Sequence, residues 1–287
     1  MRMMRAVAMI AVAAGMMAGP ATAQQQNRWQ TQGVRIATEG AYAPWNFSTP
    51  SGQLDGFEVE LANELCRRMS VRCTVIAQDW DGIIPSLNSG RYDVIMAGMN
   101  ITDRRLEVIN FTRPYAAGPA GWGVPRNSPL ATLPGLGQQY NLVSQAAEAR
   151  AVIDQMRELL RGKTIGVQVS TTNSNFLQEF FRDVATIREY RTTEQHDLDL
   201  QNGRIDAIFA AHSALTATFN NADFRDFQIA GAGFFGGILG RGVAVGLRKS
   251  DDDLRAMFDQ AIATVIADGT LRTLSMKWFN IDMTPRD

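Results

Sequence analysis

One segment of the chain repeats an apolar residue at every fourth position. Phe57, Leu61, Leu65 and Met69 have this spacing, and charged residues lie between them. Because the spacing is close to the 3.6-residue period of an α-helix, these side chains share one face. The pattern predicts an amphipathic helix over residues 56–70.

Short apolar runs on either side of this segment predict strands. We expect strands at residues 34–38, 73–78 and 93–98, with a short helix at residues 82–88 between the last two. The resulting order is β, α, β, α, β. Such alternation predicts a mainly parallel sheet with helices on both faces.

A run that joins a helix, a glycine and a strand occurs twice. SLNSGRYDVIMAG in the first half corresponds to DLQNGRIDAIFAA in the second, and Gly90 and Gly203 lie 113 residues apart. Each glycine can end a helix in the left-handed conformation before a buried strand begins. A generic α/β connection would explain part of the match but not the whole run. The repeat predicts two lobes of like construction.

The second half continues in the same manner. The patterns predict strands at residues 163–169, 206–211 and 242–247, and helices at residues 144–160, 173–182, 195–202, 213–220, 251–268 and 270–279. Ser144 can cap the first of these helices, and Gly162 can end it. Residues 127–138, rich in Pro, Gly and Ser, are expected to form a loop.

The N-terminus has the features of a secretory signal. Arg2 and Arg5 precede a short apolar run, and the small residues at 21–23 match a signal-peptidase site, so residues 1–23 should be removed after Ala23. A buried N-terminal helix is the alternative. Without a nearby cysteine to carry a lipid, we expect a soluble periplasmic protein that starts with a mobile leader over residues 24–32.

The length and net charge of the chain after the signal limit its domain number and its possible partners. The 264 residues after the signal suggest two domains, at roughly 150 residues per domain. Loss of the two leader arginines changes the formal net charge from −1 to −3, and there is no long basic block. Nucleic acid is therefore not an expected partner.

Cysteine and histidine are scarce. Cys66 and Cys73 lie where a helical pattern ends and a strand begins, which in an oxidising compartment predicts a disulfide. A metal pair is the weaker interpretation. Since only His196 and His212 could add further ligands of this type, the chain lacks an ordinary four-ligand zinc set, and we expect neither a metal nor a cofactor.

The glycine-rich run at residues 231–236 matches the dinucleotide fingerprint by letter only. That fingerprint requires a strand that leads into a helix, and further glycines follow here without a helical period. We therefore predict a flexible crossing between the lobes. The chain also lacks a G-x-S-x-G elbow, a Walker loop and an H-E-x-x-H helix, which disfavours a hydrolase.

Polar and aromatic residues follow the predicted strands in both lobes. In open α/β sheets, ligands bind at these carboxyl ends. An aromatic residue there more often packs in the core, and an Asp-Arg-Arg run is usually a solvated helix start, so the shared position is more specific than any single residue. The candidates are Glu39, Tyr42, Trp45, Phe47, Trp80, Asn100, Thr102, Arg105 and residues 170–173.

Five stretches carry a family resemblance: YAPW at 42–45, GFEVELANELC at 56–66, IIPSLNSGRYDVIMAGMNIT at 83–102, FTRPY at 111–115, and IADGT with KWF near the C-terminus. From about Val34 onward the chain resembles the polar amino-acid-binding proteins of ABC importers, in particular those for lysine, arginine, ornithine and histidine and their opine-binding relatives. The resemblance implies a type II periplasmic binding protein fold. This is a two-lobed α/β fold with two mixed sheets flanked by helices and joined by a two-strand hinge.

The resemblance also implies roles for individual residues. Arg105 would grip the α-carboxylate of the ligand, which suits a bidentate guanidinium. Tyr42 and Trp80 would sandwich the ligand side chain, and Glu39 would meet its cationic end. Cys66 and Cys73 match the disulfide spacing of the basic-amino-acid members. The other implied ligand-binding positions are Gly98, Asn100, Thr172, Asn173 and Ala211.

Two departures stand out. Where the family usually has an Asp for the α-ammonium, this chain has Ala211 followed by His212. Either the amino group is substituted, as in an opine, or His212 or Glu39 replaces the Asp, or the ligand has no free amine. Residues 130–160 also form a longer segment than in the basic-amino-acid members, and no function is assigned to it.

The resemblance implies a monomeric, non-enzymatic solute-binding component of an ABC importer. Lobe one would comprise residues 34–116 and 239–287, and lobe two residues 117–238. The free protein would be mostly open, and ligand would close the lobes for the importer membrane subunits to recognise. The alternatives are a cleft enzyme related to the family's dehydratases and a soluble subunit that presents ligand to a receptor.

Overall fold

The computed structural model describes residues 28–285. Its strands are β1 (Val34–Thr38), β2 (Ala41–Tyr42), β3 (Asn46–Ser48), β4 (Leu54–Asp55), β5 (Cys73–Ala77), β6 (Val94–Ile95), β7 (Asn110–Phe111), β8 (Ala120–Pro125), β9 (Gln139–Asn141), β10 (Thr164–Gln168), β11 (Thr186–Tyr190), β12 (Ala207–Ala211), β13 (Phe227–Phe235) and β14 (Gly246–Leu247).

The helices are α1 (Phe57–Met69), α2 (Ile83–Asn88), α3 (Asp103–Leu106), α4 (Ala146–Leu160), α5 (Thr172–Phe180), α6 (Thr193–Gln201), α7 (His212–Phe219), α8 (Asp252–Ala267) and α9 (Thr270–Phe279). Short 3₁₀ turns include Trp80–Gly82 and Gly237–Leu239. Helix α1 confirms the amphipathic helix that was predicted from apolar residues at every fourth position, because Phe57, Leu61 and Leu65 are fully buried.

Lobe one is the half built on a five-stranded sheet with the order β5-β1-β6-β14-β7. Strand β1 pairs in parallel with β5 and β6, whereas β14 is antiparallel to β6 and β7. Helices α1 and α8 contribute to its core through Leu61 and Phe258. Of the strand expected over residues 93–98, Val94–Ile95 form β6, and the backbone N–H groups of Asp93 and Met96 also donate to Arg35 and Ala37 of β1.

Lobe two is the half built on a six-stranded sheet with the order β11-β10-β12-β8-β13-β9. Strands β10, β11 and β12 are parallel, and β8 is antiparallel to both β12 and β13. The chain passes between the two sheets after β7 and again after β13. Two mixed sheets with helices and two crossings match the architecture that the resemblance implied.

The prediction of a flexible crossing at residues 231–236 is wrong for most of that run. Residues 231–235 lie in β13, whose central residues are buried in the sheet. Small residues suit this strand because its neighbours approach closely; a Cβ at Gly231 would lie 2.8 Å from Met156 Cε and 2.9 Å from Leu133 Cβ. The actual crossing begins at Gly236.

Two local predictions also need correction. Ser144 does not cap α4; Gln145 occupies the N-cap position, and no side chain caps the helix there. Of the expected mobile leader, residues 24–27 lie outside the described part, but residues 28–32 are helical. Trp29 is buried, and its indole Nε1 donates to Asp253 Oδ2 at 2.7 Å.

The disulfide is present between Cys66, near the end of α1, and Cys73, at the start of β5. On the chain-entropy view, a loop this short stabilises the fold by about 2 to 3 kcal/mol. None of the helices in residues 28–285 combines the length and apolar character needed to cross a bilayer. The signal segment at residues 1–23 lies outside the described residues.

Candidate functional site

A cavity of about 370 Å³ lies between the two lobes. This volume is within the range of small-molecule pockets. All nine positions that the resemblance implied as ligand-binding line it: Glu39, Tyr42, Trp80, Gly98, Asn100 and Arg105 from lobe one, and Thr172, Asn173 and Ala211 from lobe two. Most lie just after strands, as the strand-end rule predicts.

The lobes touch each other across this cavity. Trp45 Nε1 donates to Ser213 Oγ at 3.1 Å, and both residues are buried. Gln168 Nε2, at the end of β10, donates to Glu39 Oε1 at 2.7 Å. These cross-lobe hydrogen bonds identify the arrangement as a closed one.

Arg105 carries a partly buried positive charge. It belongs to the short helix α3, where Thr102 caps the backbone through its side chain. Its Nη1 donates to the backbone oxygen of Asn100 at 2.8 Å, and its guanidinium lies 5.3 Å from the centre of the Trp80 ring. Burial lowers the pKa of Arg105 to about 10, so the group is still charged at pH 7.

No carboxylate in residues 28–285 forms an ion pair with Arg105. A guanidinium in this state lacks the counter-charge that buried cations normally have. Its remaining N–H groups can therefore donate to a planar, bidentate anion such as a carboxylate.

Glu39 is the acidic group of the cavity. It follows β1 and is 7% exposed. Burial raises the pKa of its carboxyl to about 7, although the hydrogen bond from Gln168 opposes the shift; nearby acids such as Asp79 add to the rise. A cationic ligand group beside Glu39 would favour the ionised form.

Aromatic side chains form one wall of the cavity. Tyr42 stacks on Trp45, with ring centres 6.1 Å apart and planes nearly parallel. Trp45 in turn packs edge-on against Phe57 of the lobe-one core. The indole Nε1 of Trp80 is buried and has no hydrogen-bond partner among the described residues. Flat rings of this kind suit apolar or cationic ligand parts.

The buried carboxylate of Glu58 lies behind this aromatic wall and accepts hydrogen bonds from the segments that support it. Glu58 accepts from Asn46 Nδ2 at 2.6 Å, from the Gly98 N–H at 2.7 Å and from the Tyr115 hydroxyl. Burial raises the pKa of Glu58. Gly98 has a φ of +61°, and a Cβ there would lie 2.8 Å from Tyr42 Cε1, so only glycine lets the Tyr42 ring stay where it is.

Lobe two presents the start of helix α5 to the cavity. Thr171 caps this helix by accepting from the Ser174 N–H at 3.1 Å. Thr172 is buried and Asn173 is partly exposed in the first turn. Free N–H groups at a helix start favour an anion.

The structure excludes His212 as the residue that replaces the Asp expected at position 211. Ala211 lines the cavity, but His212 does not. The imidazole of His212 lies over Gly121 and Gly233 inside lobe two, where any Cβ at Gly121 would clash with it. Burial lowers the pKa of His212, so the neutral ring is favoured. His212 therefore does not replace the missing acid.

Sequence reasoning missed several lining residues. Gln168 ends β10, so the strand-end rule could have found it. Ser213 lines the cavity one position beyond His212, and Asn141 lies on β9, a strand that the sequence pattern did not predict. Conversely, Phe47 packs against Trp278 away from the cavity. Within residues 28–285, no cluster of three His, Cys, Asp or Glu side chains could hold a metal.

The profile of the bacterial extracellular solute-binding proteins, family 3, matches residues 34–281 of this chain. The octopine-binding periplasmic protein of Rhizobium meliloti is 46% identical, in an alignment that covers 98% of this chain and all of the relative. The histidine-binding periplasmic protein of Escherichia coli K12 is 32% identical, covering 88% of this chain and 89% of the relative.

A solved structure shows the same fold. The periplasmic His/Glu/Gln/Arg/opine family-binding protein of Silicibacter pomeroyi, in complex with lysine, superposes with a TM-score of 0.71. It is 36% identical and covers 88% of this chain and 100% of its own. This similarity confirms the two-lobed α/β fold that the sequence resemblance implied.

Proposed function

The chain belongs to family 3 of the bacterial extracellular solute-binding proteins, and from this premise we propose that it binds an amino acid or amino-acid derivative for an ABC importer. We propose a ligand with an acid group and a cationic group, such as arginine or an opine derived from it. The observation that carries the proposal is a pair of opposite charges in one cavity: within the described part of the chain, Arg105 has no carboxylate partner and Glu39 has no cationic one.

The proposed roles follow the chemistry of each group. Arg105 binds the α-carboxylate, and the α5 start with Thr172 and Asn173 adds donors from lobe two. Tyr42 and Trp80 flank the side chain of the ligand. Asn100, Gly98 and Ala211 complete the wall. Glu39 neutralises the cationic end.

Closure is the proposed signal to the importer. The lobe boundaries are residues 34–116 with 239–287 for lobe one and residues 117–238 for lobe two, so that both crossings act as the hinge. Ligand held by lobe one recruits lobe two, and bonds such as Gln168 to Glu39 form as water leaves. We propose a monomer, exported to the periplasm after cleavage at Ala23, that binds its ligand without converting it; the relatives described above are themselves binding proteins.

A ligand panel tests the proposal. Protein stripped of ligand by unfolding and refolding is expected to gain thermal stability with arginine, lysine or octopine, because a ligand that binds only the folded state raises the melting temperature. Small-angle scattering should show a smaller radius of gyration with the same ligands. Stabilisation by acidic or aliphatic amino acids alone would contradict the proposed cationic preference.

Affinity for arginine should depend on pH through Glu39. With a pKa of about 7, the carboxyl is mainly protonated at pH 6 and mainly ionised at pH 8. Because the ligand guanidinium favours the ionised form, affinity should rise from pH 6 to pH 8, by at most about tenfold, since the carboxyl is less buried before the lobes close. Calorimetry at the two pH values measures this. The Glu39→Gln variant should show a flat profile, and an equally steep profile in that variant would exclude Glu39 as the cause.

A further inference from the structure

We propose that the hydrogen bond between Trp45 of lobe one and Ser213 of lobe two is a closure latch, which sets how tightly the closed form holds any ligand without choosing among ligands. The inference rests on the proposed ligand-binding function and adds how its closure is regulated. Trp45 Nε1 donates to Ser213 Oγ at 3.1 Å across the cleft. A hinge motion that separates the lobes would break this bond.

Trp45 is held firmly in lobe one. Its ring packs edge-on against Phe57 of α1, with ring centres 5.6 Å apart, and its centre lies 4.9 Å from that of Phe279 of α9. Its backbone oxygen accepts from the Glu58 N–H at 2.8 Å, at the start of α1. Because both the ring and the backbone are fixed, the indole N–H is a preorganised donor directed at lobe two.

Ser213 is held equally firmly in lobe two. It lies in the first turn of α7, which begins directly after β12. The preceding residue, His212, donates its backbone N–H to the Pro119 oxygen at 2.9 Å. Helix α7 also contacts α9 of lobe one, the helix that ends at Phe279. The bond therefore lies beside a contact between helices of the two lobes.

Burial makes the bond costly to lose in the closed form. Trp45 is 2% exposed and Ser213 is 3% exposed, and within residues 28–285 Ser213 is the hydrogen-bond acceptor of the Trp45 indole. In the open form, water can reach both groups and replace the missing partner. A variant that lacks one of the two groups thus leaves the other unpaired only when the lobes close. Such a variant shifts the equilibrium towards the open form.

The latch is separate from the charges that hold the ligand. The bond from Gln168 to Glu39 also spans the cleft, but Glu39 is the acid that we assign to the ligand. Trp45 and Ser213 border the same cavity but are both neutral. Their contribution to closure is the same whichever charged ligand is bound. Because apparent affinity scales with the population of the competent form, the latch changes all affinities by one factor.

A double-mutant cycle tests the latch. Trp45→Phe keeps an aromatic ring in the lobe-one core but removes the indole N–H, whereas Ser213→Ala removes the acceptor. The double variant removes both groups. Thermal unfolding without ligand checks that each variant folds, and Ser213→Ala keeps the test valid if the core substitution does not fold.

The chain offers a matched control for each substitution. Trp278→Phe removes an indole N–H that donates to Glu60 within lobe one, at 2.7 Å and outside the cavity. Ser144→Ala removes an exposed hydroxyl of lobe two, also outside the cavity. Both controls should leave ligand affinity unchanged within twofold.

The probes are L-arginine and octopine, measured by calorimetry and stopped-flow fluorescence. Trp45→Phe and Ser213→Ala should each raise the Kd of both ligands by the same factor, about fivefold or more, with the ratio of the two Kd values constant within twofold. The rise should come from faster dissociation, because the latch forms only on closure. The double variant should bind no more weakly than the weaker single variant, since both substitutions remove one shared bond.

The indole proton of Trp45 gives a readout that a merely structural role would not change. Its NMR signal is assigned by its loss in Trp45→Phe. With arginine bound, this proton should exchange with solvent deuterium at least tenfold more slowly than in the free protein, and Ser213→Ala should reduce that protection. Equal exchange rates with and without ligand would show that the bond does not form on closure.

Additive losses in the double variant, or a loss confined to one ligand, would overturn the latch while the proposed binding function stands. Unchanged affinity in folded Ser213→Ala would overturn it in the same way. A folded wild type that binds neither ligand would instead overturn the proposed function, and the latch with it.

Discussion

Replacing Arg105 by alanine is expected to weaken the binding of every ligand that carries a carboxylate. Among residues 28–285 no carboxylate pairs with this guanidinium, so the ligand acid would be its counter-charge, and truncation would leave that acid buried without one. Loss of one partner of a buried, hydrogen-bonded charge pair costs about 2 kcal/mol or more. Calorimetry with arginine should therefore show about a 30-fold or larger rise in Kd.

Two further variants serve as controls for the Arg105→Ala measurement. Arg104→Ala removes the exposed neighbour and should leave the affinity nearly unchanged. Arg105→Lys keeps a positive charge but loses the planar fork, so its loss should be intermediate. Wild-type affinity in Arg105→Ala would refute the carboxylate role, and an equal effect of Arg104→Ala would point to a general electrostatic cause.

Replacing Glu58 by alanine is expected to destabilise the fold more than any surface substitution. Three donors lose their acceptor, namely Asn46 Nδ2, the Gly98 N–H and the Tyr115 hydroxyl. A buried donor without a partner costs about 1 to 3 kcal/mol, so the free energy of unfolding should fall by about 3 kcal/mol or more. Urea unfolding followed by circular dichroism measures the change.

Glu148→Ala is the surface control for this experiment. Glu148 is exposed on α4, and its loss should change the free energy of unfolding by no more than about 0.5 kcal/mol. Glu58→Gln keeps one carbonyl acceptor and should lie between the two. A loss below about 1 kcal/mol in Glu58→Ala would show that the three donors find other partners or water.

The elements that depend on neighbouring residues were predicted well from the sequence. The apolar residues at every fourth position located α1. The patterns near the C-terminus predicted the ends of α8 and α9 to within one residue. Gly90 and Gly203 both have positive φ, as predicted for residues that end a helix. Such signals are local, because helix periodicity and chain reversal involve residues only a few positions apart.

Strands that form through distant pairing were predicted poorly. Neither β8 nor β9 was predicted, and most of the glycine-rich run assigned to a crossing lies in β13. Strand β8 exists because β12 and β13 pair with it from far along the chain. No short window of sequence contains that information. The glycines that look like loop residues are required because Met156, Leu133 and Pro119 pack closely against β13.

The sequence by itself determined the α/β class, the two similar halves and, with the family resemblance, the set of nine candidate ligand-binding positions. Only the tertiary structure decided which other side chains join them: Gln168 and Asn141 line the cavity, whereas His212 turns into lobe two. The reason is physical. A strand end brings a residue to the cleft, but the direction of its side chain depends on the space left by strands that are remote in sequence, here the glycines of β8 and β13.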